Sequence, residues 1–234
     1  LEARYRVIRY DTRGHGGTAP LQDGCTLAVL QDDVVALLDH LQVERTYYAG
    51  LSLGGIVGFG LGLDHPDRLL GLAICNARAD AVEGQFAVWQ ERIDRVLAGG
   101  IETLIEPNLG RWFTPAFLND NAGTDWMRAM MRTTTTTGFV CCARALQGLA
   151  DLDYKSRLGD VRVPVLYLTG EQDMGTPPEI VHEMQRLTPG SRQVIVAGAA
   201  HISIVEQPEA VADAILEFFG TQAGPDRPGR ADFE

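Results

Sequence analysis

Tyr47-Tyr48-Ala49-Gly50-Leu51-Ser52-Leu53-Gly54-Gly55-Ile56-Val57-Gly58 joins a short apolar run to a helix of small residues through a serine set between glycines. Gly50-Leu51-Ser52-Leu53-Gly54 fits Gly-x-Ser-x-Gly, and it stands where that pattern carries meaning, after a strand pattern and before a helix pattern. A serine hydroxyl is a weak nucleophile at neutral pH. A reactive serine therefore has to sit on a sharp turn, open to a base that takes its proton and to an approaching carbonyl. Gly50 and Gly54 lack a Cβ, which lets strand and helix close around Ser52. The five residues alone fit an ordinary glycine-rich turn as well; the rest of the chain has to decide.

With 234 residues, 45% of them hydrophobic, the chain can bury one sizeable core, and one domain carrying an insertion is expected. Its 31 acidic residues against 20 basic give a formal charge of −11, which repels phosphate backbones and anionic lipid, so neither nucleic acid nor a membrane is an expected partner. Cys25, Cys75, Cys141 and Cys142 show no CxxC spacing and no density of a disulfide framework, which suits a reducing, cytoplasmic setting. No stretch reaches the roughly 18 apolar residues of a membrane span; the longest candidate, Leu51 to Leu63, is broken by glycines. No His-Glu-x-x-His or cysteine-histidine spacing points to a metal.

In chain order, Arg6 to Tyr10 reads as a strand ending in the turn Asp11-Thr12-Arg13-Gly14-His15-Gly16-Gly17. Thr26 then offers an N-cap to a helix with Leu27, Leu30, Val34, Leu37, Leu38 and Leu41 on one stripe. Val43 to Ala49 and the helix from Gly54 to about Leu63 form a second strand-helix unit, stopped by His65-Pro66. Leu70 to Cys75 is an apolar run of strand length, buried on both faces. From Ala77 to about Leu158 helical patterns follow one another, rich in aromatics (Phe86, Trp89, Trp112, Phe113, Phe117, Trp126), as in a helical cap over a site. The run Thr133 to Thr137 reads as a connection. Val163 to Thr169 is a strand, Thr176-Pro177-Pro178-Glu179 opens a helix by capping-box spacing, Arg192 to Val196 is a last strand, and Pro208 to Phe219 a last helix stopped by Gly220. The alternation predicts a mostly parallel sheet with helices on both faces. Residues 1–76 and 159–220 make the core, 77–158 the cap, and 221–234, rich in Pro, Gly and charge, a disordered tail or linker.

In open parallel sheets, ligand groups gather at the carboxyl ends of strands. Ser52, Asp173 and His201 each fall just after a predicted strand, in an order, Ser…Asp…His, that fits nucleophile, acid and base. His201 would take the proton from Ser52, Asp173 would fix the tautomer of His201, and the N–H of Leu53 would supply half of an oxyanion hole. His40 and His182 lie within amphipathic helices, His65 at a helix end, and His15 in the glycine-rich turn; these read as structural, with His15 the one that could line a site.

With these residues placed, the chain resembles the α/β-hydrolase superfamily, through Asp11 to Gly16, Gly50 to Gly55, Gly170-Glu171-Gln172-Asp173 and Ala200-His201. Within it, the chain is similar to the 3-oxoadipate enol-lactonases through Cys75-Asn76-Ala77, Arg111-Trp112-Phe113-Thr114-Pro115, Gly138 to Leu146, His201-Ile202-Ser203 and Glu206-Gln207-Pro208-Glu209. The resemblance implies a serine hydrolase of aromatic-acid catabolism that opens a small carboxylated enol-lactone without a cofactor. A buried anion needs a cationic partner, so Arg78 and Arg111, with Trp112 beside it, are candidate substrate-binding residues. Some lactonases of this kind are followed by a decarboxylase, which makes a fused or separate decarboxylase a candidate partner.

The family carries three further strands and a helix before the strand at Arg6, and the loop after the third holds the second oxyanion donor. Their absence predicts a piece of a longer enzyme with its first strands missing, a gap between the strand ending at Asp11 and the one ending at Gly50, and half an oxyanion hole. Two other readings stay open: a different ester or lactone hydrolase of the same fold, and a ligand-binding protein that keeps the fold without catalysis.

Overall fold

The computed structural model describes residues 1–119 and 121–222. Its four strands are β1 (Thr46–Leu51), β2 (Leu69–Cys75), β3 (Val165–Gly170) and β4 (Arg192–Val196). They form one parallel sheet in the order β1-β2-β3-β4, so every carboxyl end faces the same rim. The helices are α1 (Leu27–His40), α2 (Leu53–Asp64), α3 (Gln85–Gly99), α4 (Glu102–Trp112), α5 (Pro115–Leu118), α6 (Asn121–Arg132), α7 (Thr136–Gln147), α8 (Pro178–Leu187), α9 (Ser203–Glu206) and α10 (Pro208–Gln222).

Side chains alternate across a strand, and here the alternation sorts two cores. Leu72 and Ile74 of β2 with Val165 and Tyr167 of β3 point to one face, where they meet α1, α2 and Val181 and Met184 of α8. Ala73 and Cys75 with Leu166 and Leu168 point to the other, against Val211, Ile215, Phe218 and Phe219 of α10. Both faces are covered, which is why β2 and β3 are apolar at consecutive positions. Between β2 and β3 the described residues run as helices α3 to α7, with no strand among them.

Four of the five expected strands form. The segment from 6 to 10 joins no sheet: β1 is an edge, paired on one side with β2, and its other side faces a cleft of about 490 Å³ lined by Ile8, Tyr10, Asp11, His15 and residues 46–51. Tyr5 instead packs by its ring against Tyr47, which stacks on Phe219 at 4.5 Å. Val43 is not in β1, since the carbonyls of Val43 and Glu44 accept from the Arg68 guanidinium rather than from a ladder. The helix expected from Thr176 starts at Pro178. Thr176 and Pro177 each precede a proline, which disfavours helical backbone at both, and Pro177 is extended at ψ 160. The threonine run is only partly a connection: Thr135 caps α7 by accepting from the Gly138 N–H, and Thr136 and Thr137 are helical. Gly220 does not stop α10, which runs to Gln222. The rest of the expected tail, 223–234, lies outside the described residues.

Candidate active site

β1 delivers Ser52 and α2 begins at the next residue, so the chain reverses direction on the serine itself. Ser52 sits at φ 52, ψ −112, a conformation costly for a side-chain-bearing residue and found where surroundings enforce it. Its N–H donates to the Cys75 carbonyl at 2.9 Å and its carbonyl accepts from the Ile56 N–H at 3.0 Å, which locks the turn between β2 and α2. A Cβ on Gly50 would collide with the backbone of Gly54, so that glycine is sterically required. Gly54 is not, since its Cβ would find its nearest atom, the Tyr48 hydroxyl, at 3.7 Å; the second tight position is Gly55, against the Ala77 Cβ at 2.5 Å.

The turn after β3 carries Asp173 and the loop after β4 carries His201. His201 Nε2 lies 2.9 Å from Ser52 Oγ, and His201 Nδ1 lies 3.0 Å from Asp173 Oδ2. With the Nδ1 proton donated to the carboxylate, Nε2 is free to accept from the serine hydroxyl. The Asp173 side chain is fully covered and the His201 side chain 16% exposed. Burial alone would raise the Asp173 carboxyl, but the His201 ring, the Asn76 amide and the Thr176 N–H outweigh it and hold the group down at about 2. Gly175 N–H and Thr176 N–H donate to Oδ1 at 2.8 and 3.1 Å. Leu53 opens α2, so its N–H is among those that a helix N-terminus leaves without an intrahelical partner.

Of the candidate substrate residues, Arg78 donates from Nε to Asp80 at 2.7 Å, and Asp80 also pairs with Lys155, so its charge is already matched. Arg111 is exposed and makes no ion pair among the described residues; its Nη2 and His201 Nδ1 lie 3.6 and 3.8 Å from the point where a Gly175 Cβ would stand. Trp112 is half-buried in a cluster of Ile105, Leu109, Phe113, Met127, Ile202 and Val205, and its carbonyl accepts from the Ile202 N–H at 3.1 Å. Of the other aromatics, Phe113 stacks on Phe117 at 4.5 Å, and Phe86 and Trp126 face outward. His15 lies 3.9 Å from Cys142 Sγ and lines the cleft beside β1. Among the described residues no group of three His, Cys, Asp or Glu side chains is arranged to hold a metal ion, and no helix is long and apolar enough to cross a membrane.

Two polar residues of the site carry no role in the sequence reading. Asn76, at the end of β2, donates to Asp173 and to the Ala200 carbonyl; Glu206 of α9 accepts from Ala200 N–H and from Thr114. A polar residue closing the buried run Leu69 to Cys75 is the one local signal for the first; the second has one partner six residues back, Ala200, and the other, Thr114, 92 positions away, and neither leaves a pattern in the sequence.

The chain matches the alpha/beta hydrolase fold family over residues 1–208. It is 34% identical over 218 residues to 3-oxoadipate enol-lactonase 2 of Acinetobacter baylyi, covering 92% of this chain and 79% of that protein. It is 29% identical over 233 residues to RutD of Caulobacter, named as a carbamate hydrolase, covering 95% and 84%. The crystal structure of the enol-lactonase from Burkholderia xenovorans overlays with a TM-score of 0.83 at 31% identity, over 91% of this chain and 80% of that one. With a parallel sheet, helices on both faces and a serine turn at the strand rim, the chain belongs to the alpha/beta hydrolase fold family.

Proposed function

We propose that the protein is a serine hydrolase that opens a small carboxylated enol-lactone, 3-oxoadipate enol-lactone, through an acyl-enzyme. The observation that carries the reading is the unbroken chain from Ser52 Oγ through His201 to Asp173, at 2.9 and 3.0 Å. Ser52 Oγ attacks the lactone carbonyl carbon while His201 Nε2 takes its proton, and the Leu53 N–H faces the developing oxyanion. The ring C–O bond breaks, and the enolate leaving group takes the proton from His201 and becomes a ketone. Water, deprotonated by His201, then attacks the ester carbonyl and returns Ser52 as a hydroxyl. Asp173 stays ionised throughout and stabilises the imidazolium.

An anionic substrate is supported by the cations near α4. Arg92 is held down at about 10 by its burial and by the neighbouring charges of Arg111 and Arg95. Arg111, with no carboxylate partner among the described residues, is the group we assign to the substrate carboxylate, with Trp112 packing beside the ring. Arg78, already paired with Asp80, is the weaker candidate. The test is turnover by the purified full-length protein of the enol-lactone against p-nitrophenyl esters and a small carbamate. Preference for the enol-lactone, with Arg111→Gln raising KM about tenfold, supports the assignment. Preference for the carbamate, which the similarity to RutD favours, moves the substrate and keeps the nucleophile.

A further inference from the structure

Asn76 follows the last residue of β2 and is 1% exposed, at φ 50, a left-handed conformation that Asn tolerates better than most residues. Its Nδ2 lies 3.0 Å from Asp173 Oδ2, 3.1 Å from the Ala200 carbonyl and 3.3 Å from Thr169 Oγ1. Ser203 Oγ, wholly buried, donates to Asn76 Oδ1 at 2.6 Å. A flipped amide would set its oxygen against a carboxylate and a carbonyl, so the chemistry of the neighbours fixes its orientation.

The hydrogens can be counted. Thr169 has one hydroxyl proton and two acceptors in reach, the Thr176 carbonyl at 2.7 Å and Asp173 Oδ2 at 3.2 Å; the nearer one takes it. That leaves Asn76 as the side chain, besides His201, that donates to Oδ2. Its two amide hydrogens go to the two shortest contacts, the Asp173 carboxylate and the carbonyl of the residue before His201. The amide therefore grips the partner of the imidazole and the backbone that carries it.

We infer that Asn76, oriented by Ser203, is a positioning residue that clamps Asp173 and the His201 loop together and sets how strongly the carboxylate and imidazole act as one base. The inference rests on the hydrolytic reading of Ser52 and His201 given above. Among the described residues, the other charged groups around the loop are Arg111 of α4, whose Nη2 lies near Gly175 as His201 Nδ1 does, and Glu206 of α9, which holds the N–H of the residue before His201; neither has a hydrogen bond to the Asn76 amide.

Asn76→Gly keeps the backbone at ease and deletes the clamp, and Ser203→Ala leaves the amide in place without the hydroxyl that braces its oxygen. Proton NMR of the His201 ring gives the titration midpoint of the imidazole-carboxylate pair, and kcat/KM against pH gives the same midpoint in action. Losing a donor to the carboxylate makes the pair more basic. The midpoint is expected to rise by about one pH unit in Asn76→Gly and by less in Ser203→Ala, with kcat down about tenfold and KM little changed. A shift in Asn76→Gly alone keeps the clamp and removes Ser203 from it. Midpoints unmoved in every variant that folds, with only the melting temperature lowered, would reduce Asn76 to a strut and overturn the inference. The NMR titration needs no turnover, so a wild-type protein that hydrolyses nothing sinks the hydrolytic reading without touching this result.

Discussion

Glu206→Gln is expected to loosen the site from outside the reacting groups. Glu206 Oε1 accepts from the Thr114 N–H at 2.8 Å and its hydroxyl at 2.7 Å, and Oε2 accepts from the Ala200 N–H at 2.5 Å. Thr114 and Ala200 are 4% and 3% exposed, so neither N–H has ready access to water. A glutamine can turn its oxygen to one side only, which leaves an amide N–H facing a backbone N–H on the other. Hydrogen bonds to a charged group contribute about 1.5–3 kcal/mol, and an orphaned buried donor costs about 1–3 kcal/mol, so the variant should lose about 2–3 kcal/mol. For a chain of this size that lowers Tm by about 4–12 °C. Thr114→Ala removes the hydroxyl bond and the cap that accepts from the Phe117 N–H, about 2 kcal/mol together. Urea denaturation of both single variants and the double variant should give a coupling of about 1 kcal/mol, because the hydroxyl-carboxylate bond can be lost only once. With the His201 loop held to residues 112–114 only by the Ile202–Trp112 backbone bond and one side of the glutamine, kcat should also fall, by up to about tenfold. Strictly additive stabilities with unchanged kcat would refute the tether.

Ser52→Ala should abolish the acyl-enzyme and lower kcat by a factor of about 10⁴ or more, while equilibrium dialysis shows substrate still bound. Asp173 is held below its ordinary 3.8 at about 2, so its contribution is present above about pH 3.8 and lost as pH falls through 2; roughly 2 kcal/mol of stability should disappear over that window in urea midpoints, and Asp173→Asn should flatten it. Gly50→Ala should cost several kcal/mol and most of the activity, because a methyl there meets backbone on the far side of the turn, whereas Gly54→Ala has space and should be nearly neutral in melting temperature.

Much of this arrangement could be read from residues in line. The apolar runs at Leu69 to Cys75 and Val165 to Gly170 name their strands because both faces are buried, and the order of Ser52, Asp173 and His201 fits one topology. The segment from Arg6 to Tyr10 has strand composition and no strand, because a ladder is a property of two segments and β1 pairs only with β2. The capping pattern at Thr176 points to an earlier start for α8 than the two successive prolines allow. Asn76 and Glu206 are legible as polar residues but not as parts of the site: Asp173 and Thr114, which they hold, stand 97 and 92 positions away, beyond the reach of periodicity or spacing, and the Ala200 N–H six residues before Glu206 is a backbone group that no side-chain pattern marks.

The sheet also acts as a ruler. Neighbouring strands are spaced about 4.8 Å, and β2 lies between the strand that ends at the nucleophile and the one that ends at the acid, so those two exits are about 10 Å apart. No serine and aspartate can shake hands over that distance. What fills the interval is a flat ring with a nitrogen on either side, reached from the next strand over, and its fit is fixed by backbone pitch rather than by any flexible arm. Lengthening the acid by one methylene, as in Asp173→Glu, keeps its charge and its chemistry, and yet it should overrun a gauge that the hydrogen-bonded layer beneath cannot widen.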